Sequence, residues 1–456
     1  MMLYKKLSSA ALLALFISMA CVFSQAQIQE VAGVDDVKVN RKRGLDMLEN
    51  VKASIENYYY DKTFHGINLD ERFKQAAEKI KTLDTNSQIF RVIAAFVLEL
   101  KDSHTMFYPP PRSTTVEYGF TMQMFGDKCL ITDVKKGSDA EVKGLKTGDT
   151  IAGIGRYNIN RGNLWEMEYN LYSLDPQPRL RLFMLNPDNT EREVIIQPSF
   201  KTMEERFKEI EKRRKEKQEN PYRCQKVDSD VIACKLKTFS VDKKYIDMMM
   251  KEASPYKKMI LDLRGNRGGL VRIEQYLVGH FFDHEVKIGT FVTRKKSEER
   301  SAKPILDSAF GGELAVLIDS NSASAAEVFP RVIQLEKRGK VVGDTSAGAV
   351  MTSGQISMVN VRGWGTLSGY GMNMTIADLI MSDGKRLEKV GVSPDNPVLP
   401  SGAELADRSD PALAFAAKLL GAELTAQDAG KFFFITKKPE NDEDSDKDDN
   451  KDDGNN

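Results

Sequence analysis

Two short apolar runs constrain the fold of this chain most strongly. They are residues 259–263 (MILDL) and 314–318 (LAVLI). Runs of this kind are typical of strands that are covered on both faces. Each run is followed by a turn and then by a helix-like segment, which favours stacked strand–helix units over an all-β barrel. Because 456 residues exceed what one hydrophobic core usually holds, we expect two or three domains.

The beginning of the chain has the pattern of an export signal. A lysine pair precedes an apolar run over residues 7–23, and the small residues 24–26 provide a cleavage site. We therefore expect residues 1–26 to be removed and the protein to be exported to the periplasm or cell envelope. Two alternatives stay open: a retained membrane anchor, and lipidation at Cys21, whose surroundings loosely resemble a lipoprotein signal.

Charge and cysteine content indicate which binding partners, metals and cofactors to expect. Lysine plus arginine and aspartate plus glutamate both number 66, so there is no electrostatic reason to expect nucleic acid as a partner. Cys129, Cys224 and Cys234 lack metal-ligand spacing, and we expect neither a metal nor an organic cofactor. A hairpin turning at residues 228–230 would place the last two cysteines opposite each other. A disulfide and two buried thiols are equally open outcomes.

Periodicity and composition divide most of the mature chain into parts. Residues 27–111 are predicted as a helical N-terminal domain, because apolar residues recur at three- and four-residue steps before a run of prolines. Residues 201–219 are charge-dense and predict an exposed linker helix. Residues 220–430 contain both apolar runs. Residues 431–456 are predicted as a disordered acidic tail, because their final stretch has too little apolar surface to fold.

Residues 112–200 have a pattern of their own. Alternating strand-like segments precede residues 137–151 (GSDAEVKGLKTGDTI), which resemble the corresponding stretch of PDZ domains in bacterial proteases. The resemblance implies a domain that binds an extended polypeptide end by adding it as a strand. The alternative is a PDZ-like fold that serves only as a spacer or lid.

Two motifs in the main α/β region have the character of an active site. In residues 262–269 (DLRGNRGG), Gly268 and Gly269 lack Cβ atoms and let backbone N–H groups approach a ligand oxygen, as an oxyanion hole requires. A purely structural turn would use the same glycines. In residues 319–329 (DSNSASAAEVF), Ser324 lies where a strand leads into a helix, near the positive end of the helix dipole. A simple N-terminal helix cap is the alternative.

Together and in this order, behind a PDZ-like domain, the two motifs resemble those of the tail-specific (C-terminal processing) and tricorn-type serine peptidases. The resemblance implies a multidomain α+β chain with a crotonase-like α/β catalytic domain. It implies Ser324 as the nucleophile, with Ser322 as a weaker alternative. It also implies an oxyanion hole from the N–H of Ala325 and of either Gly268 or Gly269.

The base that activates the serine differs between two branches of this family. The tail-specific branch places a lysine at the end of V-V-G-x-x-x-x-G-K, and residues 341–349 (VVGDTSAGA) have Ala349 there. The tricorn-like branch uses a histidine that a glutamate orients, and the resemblance assigns these roles to His104 and Glu388. The other histidines are explained by packing or by a loop position: His65, His280 and His284.

The sequence therefore predicts a serine endopeptidase that hydrolyses unstructured or C-terminally presented polypeptides through an acyl-enzyme. The PDZ-like domain is a candidate for substrate binding. The rival hypotheses are a catalytically inactive peptide- or ligand-binding protein on the same fold, and a structural PDZ adaptor.

Overall fold

The structure, a computed structural model, describes residues 34–186, 190–360 and 368–433. The predicted export signal with Cys21 lies outside these ranges. Residues 434–456 of the predicted acidic tail also lie outside them.

The N-terminal segment, residues 34–108, consists of helices followed by a short strand. Its elements are α1 (Val34–Tyr58), α2 (Leu69–Ile80), α3 (Asn86–Leu98) and β1 (Met106–Tyr108). A capping box begins α3: the Thr85 side chain accepts from the Gln88 N–H, and the Gln88 side chain accepts from the Thr85 N–H. Leu48 and Val51 of α1 are fully buried in the shared core. The helices thus occur where apolar spacing predicts them.

The middle segment, residues 114–202, is mainly an antiparallel sheet. Its strands are β2 (Thr114–Glu117), β3 (Phe120–Phe125), β4 (Lys128–Val134), β5 (Thr150–Ile154), β6 (Tyr157–Asn158), β7 (Leu180–Leu185), β8 (Glu191–Ile196) and β9 (Ser199–Thr202). Among the described residues the main sheet has the order β3-β4-β5-β7-β8, with β6 on β5, and β2 pairs with β9. The sheet is accompanied by the helices α4 (Asp139–Val142) and α5 (Leu164–Tyr169). The charged helix α6 (Met203–Glu219) follows, as predicted for residues 201–219.

The C-terminal segment, residues 222–433, contains a mostly parallel sheet. Its strands, in their order across the sheet, are β10 (Tyr222–Lys226), β11 (Val231–Leu236), β12 (Lys258–Asp262), β15 (Glu313–Ile318), β16 (Lys340–Gly343) and β19 (Asn396–Pro397). Only the β10–β11 pair is antiparallel within this described sheet. The two apolar runs form the neighbouring strands β12 and β15.

Helices cover both faces of this sheet. They are α7 (Lys243–Ala253), α8 (Val271–Gly279), α9 (Ala325–Leu335), α11 (Pro411–Leu419) and α12 (Ala426–Phe433). The short helix α10 (Gly402–Ala406) instead packs through Leu405 against Phe125 and Leu130 of the middle segment. Met259 and Leu261 of β12 share a core with α7, α8 and α9, whereas Ile260 packs with α11 and α12. Because both faces are buried, the strand is apolar at successive positions. The prediction of doubly covered strands is confirmed.

A second, antiparallel sheet joins the N-terminal segment to the C-terminal segment. Its remaining strands are β13 (Val286–Thr293), β14 (Ser297–Ala302), β17 (Thr352–Asn360) and β18 (Ser368–Met381). In the described residues its order is β1-β18-β13-β14, and β17 also pairs with β18. The N-terminal strand β1 therefore belongs to a sheet that is otherwise built from the C-terminal segment.

The cysteine pair lies in the β10–β11 hairpin. Cys224 and Cys234 are directly opposite each other in the antiparallel register and form a disulfide. Of the two outcomes that the sequence left open, the structure has the disulfide. Cys129 is buried as a free thiol.

The end of the described chain differs from the composition-based boundary. Helix α12 continues to Phe433, whose side chain is buried, so residues 431–433 are helical and not part of a disordered tail. The aromatic pair at this helix end supplies the apolar surface that the acidic residues beyond it lack. Every helix among the described residues is too short or too polar to cross a membrane.

Candidate active site

Loops that follow the parallel strands converge at one edge of the sheet. They are residues 263–269 after β12, residues 319–324 after β15 and residues 344–351 after β16. The carboxyl ends of neighbouring parallel strands lie side by side, which is where α/β sheets commonly bind ligands. Backbone hydrogen bonds join the loops: Ala323 N–H donates to Asn266 O at 3.0 Å, and Ala347 N–H donates to Ser322 O at 2.9 Å.

Ser324 lies immediately before α9 with a positive φ of 56°. This conformation is uncommon for residues other than glycine and is typical of functional positions. The Ser324 N–H donates to Ala349 O at 2.8 Å and to Glu327 Oε2 at 3.0 Å, which holds the residue in place. Its side chain lines a pocket.

Ser322, the weaker candidate for the nucleophile, is engaged in the loop. It is fully buried. Its hydroxyl donates toward Leu263 O and Asp319 Oδ1 at 2.9 and 3.1 Å, and it accepts from the Asp319 N–H at 3.0 Å. These contacts explain Ser322 as a structural residue.

Glu327 is a buried carboxyl group that braces the loop beside Ser324. Besides the Ser324 N–H, it accepts hydrogen bonds from the Ser346 hydroxyl, the Gly348 N–H and the Ala349 N–H, at 2.6 to 2.8 Å. Burial raises the pKa of Glu327 to about 7, although these hydrogen bonds oppose the shift. Ala349, at the position of the family's lysine, therefore supports Ser324 through its backbone.

The glycine pair differs in its relation to Ser324. A Cβ atom on Gly268 would lie 2.7 Å from the Ser324 Cβ and 3.0 Å from the Ala325 nitrogen. A Cβ atom on Gly269 would instead lie 2.3 Å from the Ser240 nitrogen. The Gly268 N–H donates to the Asn266 side chain at 2.8 Å. The Ala325 N–H, at the first position of α9, has no acceptor within the helix. Gly268 and Ala325 thus adjoin Ser324.

A buried cation anchors the first loop. The Arg264 guanidinium pairs with the Asp262 carboxylate and makes a two-pronged contact to Asp410 at 2.8 and 2.7 Å. All three side chains are at most 4% exposed. Burial alone would raise the pKa of Asp262, but Arg264 and Lys235 outweigh it and lower this pKa to about 2. The network ties the first loop to the start of α11.

His104 and Glu388 are connected through a serine. The Ser103 hydroxyl lies 2.7 Å from His104 Nδ1 and donates to Glu388 Oε2 at 2.9 Å. The Ser103 N–H also donates to Glu388 Oε1 at 2.7 Å. Glu388 therefore reaches His104 through Ser103, a residue that sequence reasoning missed although it directly precedes the histidine.

Asp102 fixes the turn that carries His104. It is buried and accepts from the His104 N–H at 2.9 Å, the Thr105 N–H at 2.6 Å and the Tyr59 hydroxyl at 2.8 Å. Burial lowers the pKa of His104 below its usual value, and the Asp102 charge opposes that shift. Such a histidine is neutral near pH 7, as a general base must be.

The third loop links the segment of the histidine to that of the candidate nucleophile. The Val350 N–H donates to Glu388 Oε2 at 3.2 Å, and the preceding residue, Ala349, accepts from Ser324. Among the described side chains, no hydrogen bond joins His104 to Ser324. The structure thus connects the two segments through Glu388 and the third loop, without a direct hydrogen bond between the two side chains.

A pocket opens beside Ser324, between α8, α9 and the antiparallel sheet. Apolar side chains dominate its wall, and Glu274, Gln275, Arg300 and Thr352 add polar groups; the remaining lining residues are Val271, Ile288, Phe291, Ala325, Val328, Val350 and Leu379. A cleft of this composition next to a nucleophile suits the side chain of a bound polypeptide.

The other histidines lie in separate environments. The His65 ring contacts the hydroxyls of Tyr59 and Tyr60, and His280 is fully buried against Ser308. His284 is exposed beside Asp283. These contacts agree with the interpretation of the three histidines as structural.

Comparisons with known proteins show which peptidases the chain is similar to. Residues 230–398 match the model of peptidase family S41. A probable CtpA-like serine protease of Staphylococcus aureus (strain bovine RF122 / ET3-1) is 22% identical over 387 residues, which cover 82% of this chain and 68% of that protein. The chloroplastic carboxyl-terminal-processing peptidase 2 of Arabidopsis thaliana is 22% identical over 386 residues, which cover 76% of this chain and 67% of that protein.

A solved structure extends the similarity to the fold. The crystal structure of mature CPAF superposes with a TM-score of 0.62 at 16% identity, over 81% of this chain and 94% of that chain. The resemblance to C-terminal processing serine peptidases is confirmed, whereas the Ser/His branch and the PDZ-like assignment stay predictions. The chain has a mixed α/β fold, matches peptidase family S41 over residues 230–398 and is a serine-type peptidase.

Proposed function

We propose that the protein is an exported serine endopeptidase in which Ser324 is the nucleophile and His104 the general base. Ser103 and Glu388 orient the histidine. The observation that carries this proposal is the chain of contacts from Glu388 through Ser103 to His104 Nδ1. It leaves Nε2 as the ring nitrogen for the Ser324 hydroxyl, which is the arrangement a catalytic triad requires.

The reaction proceeds through an acyl-enzyme. Ser324 Oγ attacks the peptide carbonyl carbon while His104 takes its proton, and the resulting oxyanion is stabilised by the Ala325 N–H and a second N–H of the Gly268-Gly269 turn. When the peptide C–N bond breaks, His104 gives the proton to the leaving amine. Water, deprotonated by His104, then hydrolyses the ester.

The substrate class follows from the middle segment. We assign it as a PDZ-like domain at residues 112–200, supported by its motif at residues 137–151 and by the edge position of β3 in its sheet. An edge strand can accept an extended chain as an added strand. Unstructured or C-terminally presented polypeptides have such free segments. The signal-like residues 1–26 support export to the periplasm or envelope.

The nucleophile and base are tested together with a fluorophosphonate probe and a quenched peptide library. Ser324→Ala should abolish labelling and cleavage, and His104→Ala should slow both by at least about 10³-fold. His284→Ala is the matched control, because this histidine is exposed and contacts Asp283, and it should behave as the parent. Equal labelling of parent and His104→Ala protein would exclude His104 as the base.

Ser103 is tested as a positioning residue. Ser103→Ala should lower kcat by about 10-fold or more with little change in KM, because the ring loses its link to Glu388. Ser103→Thr keeps the hydroxyl and should restore most of the activity. A Ser103→Ala protein with parental kcat would remove Ser103 and Glu388 from the mechanism. Protein that binds peptides but never labels at Ser324 would favour the inactive binding protein.

A further inference from the structure

Glu274 is a buried acid inside the pocket beside Ser324. It lies in the first turn of α8, is 2% exposed and lines the pocket together with Ser324. Its Oε1 atom has no hydrogen-bond partner among the described residues. Burial raises the pKa of Glu274 to about 8, so the carboxyl group is mostly protonated near pH 7.

An unpartnered carboxyl group in this position calls for a ligand. A buried polar atom without a partner costs about 1–3 kcal/mol, and such atoms are rare in native proteins. If this position only had to fill the apolar core, leucine or methionine would do so without the free-energy cost of burying a carboxyl group. A protonated carboxyl group offers one O–H donor and one carbonyl acceptor, which together match a hydroxyl group.

The rest of the pocket limits the ligand further. The space that a water-sized group can enter is about 20 Å³, which favours a small side chain. Ile288, Phe291 and Leu379 supply apolar surface for a methyl group. The Arg300 guanidinium lies over the Phe291 ring at 4.8 Å and also lines the pocket, which disfavours a second cation. Its Nε is buried without a partner in the described part of the chain.

We propose that Glu274 is a specificity-determining residue that selects a small hydroxyl side chain, threonine above all, at the residue before the cleaved bond. This inference rests on Ser324 being the nucleophile of the proposed function. A site built to hydrogen-bond a hydroxyl group rejects an analogue that lacks it, because the buried polar group is then left unpaired. Threonine and valine have the same shape, so a comparison of the two isolates the contribution of the hydroxyl hydrogen bond.

The test compares peptides that differ only in threonine or valine before the cleaved bond. The parent should cleave the threonine peptide with about 10- to 100-fold higher kcat/KM, the range that one buried hydrogen bond provides. Glu274→Gln keeps donor and acceptor and should retain the preference. Glu274→Leu should reverse it. Glu336→Gln, an exposed change at the far end of α9, is the matched control and should equal the parent.

A binding measurement makes the inference independent of turnover. Product peptides ending in threonine or valine are titrated calorimetrically into Ser324→Ala protein, with and without Glu274→Leu. Tighter binding of the threonine peptide that depends on Glu274 supports the proposal. Equal binding, absence of binding to both, or preference of the parent enzyme for the valine peptide would overturn it.

The two proposals fail in different ways. A missing fluorophosphonate adduct on Ser324 would count against the proposed function. A labelled enzyme that cleaves the threonine and valine peptides at equal rates would leave the mechanism standing and remove Glu274 from substrate selection.

Discussion

At the scale of single residues, Arg264 shows how the first loop is fixed beneath the candidate active site. Its guanidinium is held between Asp262 and Asp410, which are both buried. Two carboxylates and one guanidinium leave each charge with a partner of opposite sign. Removal of the guanidinium would leave the Asp262 and Asp410 carboxylates buried without the cation that now pairs with both. Leaving a buried charge without its partner strongly destabilises a protein.

Arg264→Met should therefore destabilise the protein by about 3–5 kcal/mol, measured by urea unfolding. Asp262 has its pKa lowered to about 2, so its contribution to stability is present above its ordinary value of 3.8 and is lost as the pH falls through 2. The gap between the variant and the parent should then shrink below pH 4. Arg272→Met, at an exposed position of α8, is the control and should change stability by less than about 0.5 kcal/mol. An Arg264→Met protein as stable as this control would contradict the argument.

The pH dependence of catalysis tests His104. Burial lowers its pKa below 6.5, and the histidine acts as a base only when neutral, so kcat/KM should rise with pH through a midpoint below 6.5 and then level off. Burial also raises the pKa of Glu388. Because Glu388 is coupled to His104 through Ser103, its titration contributes to the same acidic limb of the pH–rate profile. Asp102→Asn removes the charge that opposes the shift and should move the midpoint further down. A midpoint above 7 in the parent would be incompatible with His104 as assigned.

At the scale of elements, the β10–β11 hairpin is closed by its disulfide. Cys224 and Cys234 are ten positions apart and lie opposite each other at the edge of the parallel sheet. Cross-linking a short hairpin restricts the unfolded chain, and the loop-entropy relation gives about 2–3 kcal/mol for a loop of this length. The hairpin leads into β11, so its loss affects the sheet that carries the catalytic loops.

Replacing both cysteines with alanine should lower the unfolding free energy of the C-terminal segment by about 2–3 kcal/mol. The measurement is urea unfolding of the variant beside the parent, each with and without a reductant. Reductant should destabilise the parent by a similar amount and leave the variant unchanged. If reduction leaves the parent's unfolding midpoint where it was, the disulfide has no stabilising role.

Elements defined by local pattern were predictable from the sequence, and those defined by distant pairing were not. The run at residues 259–263 and the alternation around Gly119 gave the strands β12 and β3 nearly to the residue. The long strands β17 and β18 have glycine and polar residues within them, and β18 pairs with strands far from it in the chain, β1 and β13. Their sheet was therefore missed.

The candidate site divides in the same way. Motif resemblance named Ser324, His104 and Glu388, and the structure places their segments together. Ser103 and Glu274 were missed because nothing local marks them: a serine before a histidine and a glutamate in an amphipathic helix are ordinary residues. Their roles arise only from what the fold places around them, a carboxylate for Ser103 and an apolar pocket for Glu274.

At the scale of the whole molecule, the segments meet around the catalytic loops. The N-terminal segment supplies His104 and joins the antiparallel sheet through β1. The middle segment contacts the loop that precedes Ser324, because the Gln123 side chain donates to Asp319 Oδ2 at 2.9 Å. Hydrogen bonds thus connect the middle segment directly to the loop that carries Ser324.

Arg161 makes a charged contact between the middle and C-terminal segments. It donates to Asp344 Oδ2 at 2.6 Å and to Thr345 O at 2.9 Å, and Asp344 also accepts from the Gly126 N–H at 3.0 Å. Asp344 begins the loop that reaches Ala349, the acceptor of the Ser324 N–H. The Arg161 contact therefore restrains one end of the loop that positions Ser324, the candidate nucleophile.

Arg161→Met should loosen this loop without unfolding the sheet beneath it. Charge-assisted hydrogen bonds contribute about 1.5–3 kcal/mol, so amide hydrogen exchange across residues 344–350 should accelerate by about 10-fold or more, while β12 and β15 keep their protection. kcat should fall because the loop at residues 344–350 is less ordered. Arg181→Met, in the same middle sheet and paired with the exposed Glu193, is the control and should leave exchange in the loop unchanged. Unaltered exchange in Arg161→Met protein would mean that the loop keeps its shape without the middle segment, and Ser324 would then be positioned by Glu327 and the parallel sheet alone.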